Sequence, residues 1–151
     1  MKRVYFCSGH AKVNTKGTEC KMGKAFIKVA SVYLLLGISF GVYMGITENF
    51  DYGHTHAHVN LLGWATMGVC GLIYCVFPRA GNSKLGKTHF WLYNIGTPFL
   101  LVGMFLFAIE MDGPALLLAI IGGAIVLAGT LVFVVNVFSN VKESTLSKVR
   151  E

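Results

Sequence analysis

Four stretches of this sequence, Val29–Thr47, Val59–Phe77, Phe90–Ile109 and Pro114–Phe138, run for about 19 to 25 residues each with almost no charge. A helix needs about 20 apolar residues to cross a hydrocarbon layer of ~30 Å. Four such spans take up more than half of a 151-residue chain and leave no segment large enough for a separate soluble domain. Charged residues make up only 13% of the sequence, against about a quarter in ordinary soluble domains. The expected fold class is therefore all-α: an integral membrane four-helix bundle in contact with lipid. A basic tail is expected over residues 1–24, the four-transmembrane-helix domain over 25–140, and a second tail over 141–151.

The basic residues give the orientation. Lys2, Arg3, Lys12, Lys16, Lys21, Lys24 and Lys28 precede the first span, Arg79, Lys84 and Lys87 lie between the second and third, and Lys142, Lys148 and Arg150 follow the fourth. The other two connections hold Glu48, Asp51, Glu110 and Asp112 and no cation. All thirteen cations thus fall on one side of the bilayer, which predicts that both termini are cytoplasmic in a multi-pass membrane protein. The net charge of +6 is read as this topology signal, suited to an anionic inner leaflet and not to nucleic acid. The first span starts too far along, without a small-residue cleavage site, to be a removable signal peptide.

Cys7 and Cys20 fall on the reducing side and Cys70 and Cys75 within the second span, so no structural disulfide is expected. Cys7, His10 and Cys20 could share a metal, but without a fourth ligand they read as part of a solvated basic tail. Gly37, Gly41 and Gly45 share one face of the first span, where a neighbouring helix or a flat ligand can approach closely. Asn94, Thr97 and Pro98 are expected to bend the third span. GNSKLGKT, residues 81–88, has the letters of a phosphate-binding loop. That loop works between a strand and a helix of an α/β sheet, so here it reads as a basic turn.

The chemistry is concentrated in HTHAHVNLLGWATMGVCGLIYCVFP, residues 54–78, where three of the five histidines stand at the mouth of the second span. Three imidazoles at a membrane interface gain most by sharing a metal or cofactor. If the helix already begins at His54, then His54 and His58 share a face and His56 points elsewhere. If residues 54–57 are extended, all three fall on one side. Either arrangement suits copper, zinc or haem iron, and no carboxylate cage is present for magnesium or calcium. Met44 is a candidate soft ligand for copper. His89, beside Trp91 and Tyr93, belongs to the opposite end of the bundle, ~30 Å away, and reads as an interfacial residue.

HAHVNLLGWATMGVCGLIYCVFP resembles the second helix of the catalytic subunit of haem-copper oxidases, above all the nitric oxide reductase and cbb3-type branches. The stretch Lys24–Asn140, including HFWLYNIGTP, is similar to small four-helix bacterial proteins that are themselves cbb3-type subunit-1-like. The resemblance implies that His58, standing before Val59-Asn60-Leu61-Leu62, is an axial ligand of a haem b near the outer face. His56, His54 and Asn60 follow as further cofactor contacts. His56 and His58 together are similar to the His-x-His pair that ligates both haems on a later oxidase helix. This chain carries no separate helix with that pair, no cross-linkable His–Tyr arrangement and no further spans with copper ligands.

Three functions compete. The first is a membrane haem b protein, with or without copper, that transfers electrons or binds O2 or NO; any catalysis would be that of an oxidoreductase of the haem-copper type. The second is a copper-binding or assembly factor for respiratory oxidases that uses His54, His56 and His58 as metal ligands. The third is a structural membrane subunit without cofactor. A low-spin haem needs two axial residues on opposite faces, and one histidine cluster cannot easily supply both. A homo-oligomer follows. A trimer is favoured, since three copies would restore the twelve helices of the oxidase subunit, and a dimer is next.

Overall fold

A computed structural model describes residues 19–141. Most of the two tails, with Cys7, His10, seven of the cations and their proposed roles, lie outside the described residues. Within them the chain forms four long helices, Lys21–Thr47, Gly53–Val76, Lys84–Ala108 and Asp112–Asn140, all long and apolar enough to cross a membrane. They are called the first to fourth helices below. A short helical turn, Pro78–Asn82, joins the second to the third. Among the described residues there is no strand. Each helix begins before its uncharged stretch, because a polar first turn still satisfies its backbone groups at the interface.

Both acidic connections are tight. The first helix ends on Glu48 and the third runs out through Glu110, each in the left-handed region at φ 52° and 60°, the conformation that commonly ends a helix. Asp51 N–H then donates to Asn49 Oδ1 (3.0 Å) and Gly53 N–H to the Phe50 carbonyl (2.9 Å), turning the chain into the second helix. At the basic end Ser83 caps the third helix, its Oγ accepting from Gly86 N–H at 2.9 Å. GNSKLGKT is therefore the end of a short turn and a capped helix start, with no phosphate loop.

The first and second helices pack along each other, as do the third and fourth. The second of these contacts is built on missing side chains: a Cβ on Gly103 would lie 2.6 Å from Ala119 N, one on Gly96 2.8 Å from Val126 N, and one on Gly122 would overlap Leu100 backbone. With no hydrophobic effect between helices in lipid, such close approach supplies the dispersion contact that holds them. The third helix runs without interruption through Pro98. The two hairpins meet mainly in the basic half of the bundle, where Phe26, Ala30, Met67, Cys70, Tyr74, Ala80, Tyr93 and Val126 form the core. At the acidic end Tyr52 stacks on Phe105, ring centroids 5.3 Å apart. Leu35, Ile46, Leu61, Leu117, Leu127 and Phe138 are exposed, which is the pattern of a surface facing lipid.

Two features depart from the expectations. Cys20 and Cys75 are joined by a disulfide, with Cα atoms 4.9 Å apart, a separation that a disulfide spans. Cys20 precedes the first helix and Cys75 lies in the last turn of the second, so antiparallel packing brings a tail residue and a span residue to the same depth. Among the described residues Cys70 is the free cysteine, and it is buried. The second departure is a π-helical segment, Val59–Thr66, inside the second helix, marked by a Thr66 Oγ1–H donated to the Leu61 carbonyl at 2.8 Å. At ~100° per residue a regular helix would carry Met67 about 120° round from Thr55. The wider π turns absorb that rotation, and Thr55 and Met67 are both buried, at 5% and 0% exposure.

Candidate cofactor site

The second helix is already helical at Gly53, so the helical alternative holds for the three histidines. His54 and His58 stand one turn apart on one face and His56 points elsewhere. His58 Nδ1 lies 2.9 Å from the His54 carbonyl. A carbonyl can only accept, so Nδ1 donates, and in the neutral ring Nε2 then keeps its lone pair. An imidazole oriented through Nδ1–H and free at Nε2 is prepared to ligate a metal. The His58 side chain is half-buried.

His56 turns inward to the first helix. A Cβ on Gly41 would come 2.8 Å from His56 Cε1, and one on Gly37 would overlap the Asn60 amide. Two glycines of the first helix therefore make room for a ring and an amide of the second, while Gly45 has nothing within 4 Å. Asn60 Nδ2–H donates to the His56 carbonyl at 3.0 Å and lies 3.5 Å from His56 Nδ1. Asn60 and His56 thus form a polar seam between the helices, with His58 outside it. Gly37 and Gly41 are filled from within the chain, so they are not free for a cofactor plane or for packing between subunits. Met44 is buried in the bundle, at 5% exposure. Thr55 Oγ1 is buried at this end without a hydrogen-bond partner. No group of three or more His, Cys, Asp or Glu residues converges on a metal position among the described residues. His54, His56 and His58 share a turn of helix without sharing a centre.

The constellation that sequence reasoning missed lies at the other end. His89 is 1% exposed, held between Phe26 and Phe133 with ring centroids 4.9 and 5.0 Å away. Its Nδ1 is 2.9 Å from the Tyr74 hydroxyl. Asn136 Nδ2 donates to that hydroxyl at 3.2 Å and to the Ala80 carbonyl at 3.0 Å. Ser83 Oγ and Asn140 Nδ2 stand 3.0 and 2.8 Å from Asn136 Oδ1. The expectation of an interfacial His89 fails because Phe26 and Phe133 close over it. The available signal was Asn136, an amide in an otherwise apolar helix, since polar groups in membrane spans are buried against partners. This cluster joins the two hairpins.

The fold and these sites define a multi-pass, all-α membrane protein with a polar, histidine-bearing helix mouth at its acidic end. In sequence it is similar to the cbb3-type cytochrome c oxidase subunit CcoN1 of Stutzerimonas stutzeri, at 28% identity over 61% of this chain and 26% of that protein. It is also similar to a cytochrome c oxidase subunit 1 homolog of Azorhizobium caulinodans, at 26% identity over 60% of this chain and 22% of that one. The resemblance is distant, and the chain spans about a quarter of the length of these relatives. No protein-family model matches the chain, and no solved structure matches it.

Proposed function

We propose that this chain is a haem b protein of the bacterial inner membrane, with His58 as axial ligand, that transfers electrons or binds a diatomic gas. The observation that carries the reading is the His58–His54 hydrogen bond, which leaves Nε2 free on a half-buried ring; the distant similarity to oxidase subunits supports it. His58 Nε2 would hold the iron, and His54 would act through its carbonyl by fixing the ring. The haem would supply one-electron chemistry when both axial positions are filled and O2 or NO binding when one stays open. His56 and Asn60 set the angle of the second helix against the first.

His89 is enclosed at the opposite end, so a second axial histidine, where both positions are filled, would come from another copy of the chain. A homotrimer, with haem beside the subunit interfaces near the acidic end, meets that need, and a dimer is the other arrangement with two clusters. Thirteen cations on one side favour cytoplasmic termini, which places the histidine mouth on the outer face.

The absorption spectrum of the full chain in mild detergent tests this. The expected result is a Soret band with sharp α and β bands on reduction, most of it absent in His58→Ala. Copper without haem would favour an oxidase copper factor instead, and neither cofactor would favour a structural subunit. An undiminished haem spectrum in His58→Ala would remove His58 as ligand.

A further inference from the structure

His54 has a role open to it that the haem reading leaves unused. Its side chain is exposed and lines a cavity of about 310 Å³ with Asp51, Met104, Phe107 and Ala108. The cavity lies between the connection after the first helix, the start of the second and the last turns of the third. It therefore bridges the two hairpins where they are otherwise joined mainly by Tyr52 and Phe105. Three kinds of donor line it: a carboxylate, an imidazole and a thioether. No hydrogen bond involves the His54 ring among the described residues, so neither ring nitrogen is committed.

We propose that Asp51, His54 and Met104 form a binding site for monovalent copper. A thioether is a poor ligand for hard cations, and paired with an imidazole it selects the soft Cu(I) ion. Calcium and magnesium need several oxygen ligands, and the cavity offers one carboxylate. That carboxylate balances the single charge of the ion, which the apolar walls of Phe107 and Ala108 would otherwise make costly to bring in. The acidic end as a whole attracts cations: Glu48, Asp51, Glu110 and Asp112 stand there without a Lys or Arg. Met44, the methionine that sequence position suggests, is buried in the bundle, whereas Met104 lines the same cavity as His54.

Anaerobic titration of the purified full chain with Cu(I), against a chromophoric Cu(I) chelator, tests the assignment. One ion per chain is expected, with affinity lowered at least about tenfold in Met104→Leu and in His54→Ala, the scale of losing a metal-site residue. Met44→Leu and His58→Ala are expected to bind Cu(I) as the wild type does, and Zn(II) to compete poorly. Leucine in place of methionine preserves volume, and the elution profile of each variant in detergent checks its fold. Haem content, read from the same samples, is expected to be lost in His58→Ala and kept in Met104→Leu, so the copper and haem assignments can fail separately. Wild-type affinity in both Met104→Leu and His54→Ala, or binding that depends on His58 or Met44, would overturn the proposal.

Discussion

Among the histidines, the decisive difference is which nitrogen is committed. His58 has Nδ1 held by a carbonyl and Nε2 free, His56 is packed on Gly41, His54 opens to a cavity, and His89 is sealed between aromatic rings. The first three were legible as a cluster because three histidines before a long apolar run are chemically costly without a purpose. Their division of labour was not legible, because it depends on which residues of the first and third helices face each one. His89 was misjudged for the same reason: proximity to Trp91 and Tyr93 in sequence says nothing of Phe26 and Phe133. Replacing His89 should act on stability. Hydrogen bonds between membrane helices average well under ~1 kcal/mol, whereas emptying an aromatic-sized site costs about 3–5 kcal/mol. His89→Ala should therefore lower the thermal midpoint in detergent clearly more than His89→Phe, with haem per folded chain unchanged in both. Equal loss of haem and stability in His89→Ala would instead link this end of the bundle to the cofactor.

At the scale of elements, four helices could be read directly from four uncharged stretches, and their ends shifted only by the polar turns that helices keep at an interface. Neither the π segment nor the disulfide was visible, since each arises from pairing. The π turns of Val59–Thr66 sit where Tyr33 lies against Gly63, and they let the histidine mouth and the lower half of the helix face one bundle. Cys20 and Cys75 meet only because the first two helices run antiparallel. In the orientation the cations favour, this pair faces a reducing compartment, which would open the link to two thiols until the protein is isolated. Rapid maleimide trapping in intact cells is expected to label both as thiols, and mild oxidation of isolated membranes to protect them. Removing the link by Cys75→Ser should cost less than the ~2–4 kcal/mol typical of soluble proteins, because the bilayer already holds the two helices together. Protection in untreated cells would place the basic end on the oxidising side and reverse the topology.

For the molecule as a whole, the apolar surface, the single basic end and the two tight acidic turns form a four-helix unit with both described ends on one side. Asn82 Nδ2–H donating to the Glu19 carbonyl, and Asn136 Nδ2–H to that of Ala80, tie the start of the first helix and the end of the fourth to the same connection. On the proposed reading, such a unit would present His58 to one face of a macrocycle. The account therefore turns on a haem shared with another copy of the chain. Native mass spectrometry of the full chain released from detergent measures subunit count and bound cofactor together. The prediction is a trimer whose mass includes haem, with haem lost in parallel from His58→Ala. Haem retained on a single chain would contradict the shared site, and assemblies that never carry haem would contradict the assignment of His58 itself.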